Sequence, residues 1–197
     1  GLDTSYFKSN SKKNDTSFFD IIFCGRLIEL KGPDIAVDII FELHKLGFNQ
    51  LRLHIIGEGR LRPYLEEKIK ILGLKDTVTL YGSLTQDLIK QQLEQADVFL
   101  LPGRYEPLTG RAETQGLVIQ EAQSMGLPVV VSDVGGMKYG LIPNETGFVV
   151  EENNIQGFVS AIERLILDEK LKNEMGDNAS VLLKRILFVY NETFKLV

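Results

Sequence analysis

Six short apolar runs, separated by stretches with helical period, constrain this chain more than any other feature. The runs cover residues 20–24, 51–56, 77–81, 97–101, 128–132 and 147–150. They are four to six residues long, most are rich in Val, Ile, Leu or Phe, and few alternate strictly with polar residues. Strands buried on both faces look like this, because each side of the strand meets an apolar layer. Between and after them, helical patterns cover 34–46, 61–72, 86–95, 117–125 and 155–167, followed by a C-terminal pair at about 169–176 and 179–195. Pro33 stands where an opening helical turn tolerates it, and Gly47, Gly73 and Gly126 follow helix ends where left-handed caps are wanted. The alternation predicts βαβ units. The expected fold class is α/β: a Rossmann-like parallel sheet of about six strands with helices on both faces.

The 197 residues suffice for one substantial core, and the first 17 are polar enough to read as a linker or arm ahead of a domain spanning 18–197. A net charge of −5 argues against a nucleic-acid partner held by bulk positive charge, while leaving room for a local basic site. The lone Cys24 excludes a disulfide framework and reads as a buried core thiol in a protein of a reducing compartment. No segment approaches the ~18 apolar residues of a membrane span, and no signal peptide is visible.

In a parallel sheet of this kind, ligands sit beyond the carboxyl ends of the strands. The loops to inspect are therefore 25–32, 57–60, 82–86, 102–116 and 132–139. In the first, Gly25-Arg26 and Lys31-Gly32 set two cations five residues apart. Arg26 can fork over two oxygens and Lys31 can act as a mobile point charge on a diphosphate. The same segment also fits a solvated loop with two surface cations. Gly57-Glu58-Gly59 fits a tight turn before a helix and is not the dinucleotide fingerprint. No Walker loop, Asp-x-Asp pair or Ser/His/Asp constellation is present, and His44 and His54 read as structural.

The segment Glu113-Thr114-Gln115-Gly116-Leu117-Val118-Ile119-Gln120-Glu121 points most directly at a ligand. A helix opening near Gly116 offers N–H groups without intrahelical partners to an anion. Glu121 lies about 7 Å along the axis from Gly116, at ~1.5 Å per residue, where it can accept from a vicinal diol. Glu113 precedes the helix and can sit at its mouth. An exposed loop acid and a surface acid are the alternative, although Glu121 falls on a mostly apolar helix, where a carboxylate wants a partner.

Taken together, these residues resemble the C-terminal domain of retaining GT-B glycosyltransferases of family 4, also called group 1. The resemblance rests on Gly25-Arg26-Leu27 with Lys31-Gly32, Ile56-Gly57-Glu58-Gly59, Val78-Thr79-Leu80-Tyr81-Gly82, and Ala96-Asp97 leading to Pro102. It continues with Glu113 through Ala122, Gly126-Leu127-Pro128-Val129-Val130, Gly135-Gly136 and Gly147-Phe148-Val149-Val150. These motifs run in the family's order over about residues 18–160. Residues 1–7 resemble the family's interdomain connection.

The resemblance implies the C-terminal half of a two-domain enzyme whose N-terminal acceptor domain is absent from this chain. Arg26 and Lys31 would bind the diphosphate of a nucleoside-diphosphate sugar and stabilise the leaving group, facing the N–H groups of Leu117 and Val118. Glu121 would hold the ribose. Glu113 would contact the transferred sugar, together with Thr114, Gln115 and Gly116. Gly25 would allow close approach, and Gly57, Leu80 and Leu84 would frame the nucleobase. No metal or other cofactor is expected. The expected acceptor is a sugar or glycolipid in polysaccharide, lipopolysaccharide or glycolipid synthesis. The expected location is cytoplasmic, with peripheral association at the inner membrane face through the absent domain. The family commonly has an aromatic residue where Gln115 stands, and the 102–113 loop is long. The stretch 181–190 resembles the helices the family packs toward its other domain. A noncatalytic sugar-nucleotide-binding module and an epimerase acting on the sugar nucleotide suit the same residues.

Overall fold

The computed structural model describes residues 17–106, 109–113 and 116–194, with helix side chains described as far as Leu183. The expected arm therefore lies outside the described residues apart from Ser17, as do Thr114 and Gln115. Six strands form a single sheet: β1 (Phe19–Cys24), β2 (Leu51–Ile56), β3 (Val78–Gly82), β4 (Val98–Leu101), β5 (Val129–Ser132) and β6 (Gly147–Val150). All pairings are parallel, in the order β3-β2-β1-β4-β5-β6. The helices are α1 (Pro33–Lys45), α2 (Arg62–Ile71), α3 (Gln86–Gln95), α4 (Leu117–Ser124), α5 (Ile155–Leu167) and α6 (Glu169–Phe194).

The strand order decides where the helices go. From β1 the chain moves outward to β2 and β3, then crosses back to β4 and continues through β5 to β6. Right-handed crossovers place α1 and α2 on one face and α3 and α4 on the other. Helix α5 packs beside α1, and α6 beside α4. The central strands are covered on both sides: Ile21, Ile22, Phe23, Phe99, Leu100 and Leu101 are all fully buried. On α1, Ile35, Ile39, Ala36, Ile40 and Leu43 are buried, a stripe recurring at three- and four-residue steps. Removing one such side chain, as in Leu43→Ala, would cost about 2–5 kcal/mol.

Helix starts are set locally. Thr85 and Asn154 accept backbone N–H bonds from Leu88 and Gly157 and so cap α3 and α5, contributions of about 1 kcal/mol each. Asp168 accepts from the Leu171 N–H at the opening of α6.

One element differs from expectation. The predicted C-terminal pair of helices is a single helix, α6, running without a break through Gly176-Asp177-Asn178. Gly176 is there for close approach: a Cβ on it would stand 2.1 Å from the Gly126 carbonyl oxygen. With Met175, Ala179 and Leu183 buried around it, Gly176 lets α6 lie against the turn that ends α4. The glycine that looks like a stop is a packing contact. No helix among the described residues is long and apolar enough to cross a membrane.

Candidate functional site

The sheet changes direction between β1 and β4, and an open α/β sheet has its crevice at such a switch point, outside the carboxyl ends of the strands. The loop after β1 carries Arg26 and Lys31; the loop after β4 carries Glu113 and Gly116. Adjacent strands thus bring together segments some eighty residues apart.

Lys31 Nζ donates to Glu113 Oε2 in a short, largely buried ion pair. The other oxygen of the same carboxylate, Oε1, accepts the Gly116 N–H at 3.1 Å. Gly116 is the left-handed residue (φ 45°) immediately before α4, and no side chain caps the N–H groups of the helix itself. One carboxylate therefore occupies the place where a cation and a helix mouth converge. The Glu113 backbone is fixed as well, its carbonyl accepting the Gly136 N–H at 2.8 Å from the loop after β5. Arg26, in the loop after β1, is exposed and forms no side-chain hydrogen bond among the described residues. Leu117 is 53% exposed at the first position of α4, and Val118 is half-buried behind it.

Glu121 lies one turn further in. Burial raises its pKa above the usual carboxylate range, and its side chain has no hydrogen-bond partner among the described residues. Its charge is felt at Cys24, the last residue of β1. Burial first, and the Glu121 charge second, push the thiol up to about 12, against a lowering pull from Lys31. Lys31, Cys24 and Glu121 thus share one electrostatic neighbourhood. The thiol stays protonated.

On the other side of β1, the Gly57 N–H binds the Gly82 carbonyl at 2.9 Å, and the Gly25 N–H binds that of Ile56 at 2.9 Å. Gly57 has φ 136°, and a Cβ there would fall 1.9 Å from the Gly25 carbonyl oxygen. The loops after β1 and β2 can stack this closely because residue 57 is glycine, whereas a side chain at position 25 would meet only Lys31 at ordinary contact distance. Leu80 and Leu84 are half-buried against the core near the same strand ends.

The described part of the loop after β4 is strapped down. Arg104 donates its N–H to the Leu30 carbonyl at 3.1 Å and its guanidinium to Asp34 at 2.9 Å. The Tyr105 N–H reaches Glu152 at 2.7 Å, and its hydroxyl accepts the Gly135 N–H at 3.3 Å. Arg60 joins Glu29 at 2.5 Å and reaches to 3.8 Å from Glu106. The loop is tied to four others.

Sequence reasoning did not foresee the Lys31–Glu113 pair or these ties, and no local signal marks them. Both histidines belong to the scaffold. His54 lies 2.9 Å from buried Asp20 and 3.0 Å from the Tyr81 hydroxyl, and His44 lies 3.5 Å from Thr77. Among the described residues, no group of three or more His, Cys, Asp or Glu side chains comes together as a metal site would require.

Comparison with known proteins bears on this geometry. The family model described as "Glycosyl transferases group 1" matches residues 5–181. The chain is 32% identical over 162 residues to an alpha-D-kanosaminyltransferase of Streptomyces kanamyceticus, covering 82% of this chain and 40% of that protein. It is 30% identical over 159 residues to a GDP-mannose-dependent alpha-(1-6)-phosphatidylinositol monomannoside mannosyltransferase of Mycobacterium tuberculosis, covering 79% and 40%. The chain spans about 40% of the length of these curated relatives. Among solved structures, the C-terminal domain of a glycosyl transferase group 1 family protein (LpcC) from Francisella tularensis superposes with a TM-score of 0.78. The identity there is 20%, over 94% of this chain and 97% of that one. Anabaena HepE in complex with UDP and glucose gives a TM-score of 0.80 at 21% identity, over 100% of this chain and 54% of that one.

Proposed function

The chain belongs to the group 1 glycosyl transferases and has the fold of their C-terminal GT-B domain, and from that premise we propose that it binds the donor of a retaining sugar transfer. The observation that carries this reading is the convergence of Lys31, Glu113 and Gly116 at the uncapped mouth of α4. A lysine and a helix mouth that together hold a carboxylate offer the charge and the N–H groups an anion needs. The diphosphate of a nucleoside-diphosphate sugar takes Lys31, the exposed Arg26 and the N–H groups of Leu117 and Val118. Glu113, with Thr114, Gln115 and Gly116, contacts the transferred sugar. Glu121 accepts from the ribose, and Gly57, Leu80 and Leu84 frame the base.

In transfer, the bond between the anomeric carbon and the phosphate oxygen breaks, and its electron pair stays on the diphosphate. Arg26, Lys31 and the helix mouth stabilise that growing charge in a water-poor crevice. The acceptor oxygen bonds to the anomeric carbon on the same face, and its proton passes to the diphosphate. Two cations and a helix end supply this without a metal.

The acceptor is a sugar or glycolipid, in keeping with relatives named for glycolipid and amylovoran synthesis. It is held by a second domain, in keeping with relatives more than twice the length of the matched region. That domain would provide any association with the inner face of a membrane.

Calorimetry with UDP, GDP and ADP tests donor binding. At least one is expected to saturate the chain, unaffected by EDTA, and Lys31→Ala is expected to weaken it by about tenfold or more. Absence of binding to all three would overturn the reading.

A further inference from the structure

At the end of β2 stands a charged pair to which the donor site, as described, gives no task. Glu58 lies in the loop after β2 and Arg62 opens α2. Arg62 Nη1 donates to Glu58 Oε1 at 2.6 Å, and its Nε donates to Glu66 Oε1 at 2.9 Å. The four-residue spacing makes them neighbours, as on any helix surface. Their position sets them apart. Gly82 closes β3 with φ 75°, and a Cβ on it would stand 3.0 Å from Glu58 Oε1 and 3.6 Å from Arg62 Nη1. The pair therefore overhangs the end of β3. On its inner side is Gly57, bonded to the Gly82 carbonyl, and Leu84 follows two residues later.

Only one edge of the pair is used. Glu58 Oε2 and Arg62 Nη2 have no hydrogen-bond partner among the described residues, and the side chains are 48% and 32% exposed. Glu66 holds the guanidinium from behind, so its orientation is set before a ligand arrives. The result is an acceptor beside a donor, at the strand ends where the donor's base would lie.

We propose that Glu58 and Arg62 read the Watson–Crick edge of the donor base and select a lactam base, uracil or guanine, over adenine. This rests on the donor-binding reading above. Uracil presents N3–H beside its O4 carbonyl, and guanine presents N1–H beside its O6 carbonyl. In each, the N–H donates to Glu58 and the carbonyl accepts from Arg62. Adenine carries the reverse pattern, a bare ring nitrogen beside an amino group. Its lone pair faces the carboxylate and its N–H faces the guanidinium, so mismatch adds repulsion to lost bonds.

Calorimetry of the whole chain with UDP, GDP, ADP and their N-methylated analogues tests this. UDP or GDP is expected to bind about tenfold or more tighter than ADP. Methylating the N3 of UDP, or the N1 of GDP, is expected to remove that advantage. Glu58→Ala is expected to weaken UDP or GDP by about tenfold, to leave ADP unweakened or bound more tightly, and to add no loss on the methylated analogue. Equal binding of ADP, or a Glu58→Ala loss shared by all three nucleotides, would overturn base reading while leaving donor binding in place. If none of the three binds, the donor-binding reading falls and this inference falls with it.

Discussion

A half-covered carboxylate on α4 with no hydrogen-bond partner among the described residues costs free energy until something donates to it. Glu121 is in that state, and the direction of its pKa shift sets two opposed consequences. Burial raises its folded pKa above the unfolded value, so the folded chain holds the proton more tightly. The stability this contributes is fully present below the unfolded pKa and is lost as pH rises through the raised folded value. Glu121→Gln removes the cost of the buried charge. Its thermal midpoint is expected to rise by roughly 1–3 °C at pH 7 and to change little at pH 4. Ribose binding needs the ionised form, so the same variant is expected to lose affinity for UDP or GDP by about tenfold. Its affinity for the 2′-deoxynucleotide should change far less. Thermal melts at the two pH values and titrations with both nucleotides check the two halves. A variant whose midpoint differs from wild type by the same amount at both pH values, or one that discriminates between the two sugars as well as wild type, would contradict the assignment.

At the scale of elements, the site depends on how α4 is held. Its last turn is pinned by α6, whose Gly176 meets the Gly126 carbonyl where no Cβ fits. On an exposed helix, Gly→Ala would stabilise by about 1 kcal/mol. Here the sign is expected to reverse. Gly176→Ala should lower stability by about 1–3 kcal/mol through overpacking, read in a denaturant melt. Because α4 carries both its own mouth and Glu121, nucleotide affinity is expected to fall alongside. A neutral or stabilised Gly176→Ala would show that the α4–α6 contact relaxes freely.

At the scale of the whole molecule, the loops at one edge of the sheet carry the proposed donor site. The switch between β1 and β4 gathers Lys31, the helix mouth and Glu113 on that edge, and in the proposed function the acceptor is held by a second domain. The chain by itself is therefore expected to bind a nucleoside diphosphate and to show no transfer above background. Incubation with a radiolabelled sugar nucleotide and a panel of glycolipid acceptors checks this. Turnover by this chain alone would place the acceptor site on it.

The sequence by itself determined the elements up to the C-terminal helix, which it split in two. The strand 51–56, the strand 147–150 and the helices 86–95 and 155–167 lie where the apolar runs and helical periods put them, since burial on two faces or one stripe is written locally. The candidate residues were legible for the same reason: they follow strands, where a parallel sheet presents its ligand loops. What only the tertiary structure decided is which of them meet. Lys31 and Glu113, 82 residues apart, meet because β1 lies beside β4, and Gly176 is a contact because α6 lies against the end of α4. His54 is occupied because Asp20 shares its face of the sheet. Local pattern is set by each residue's own preference for burial, whereas these pairings depend on strand order and helix placement, which are properties of the whole packed sheet.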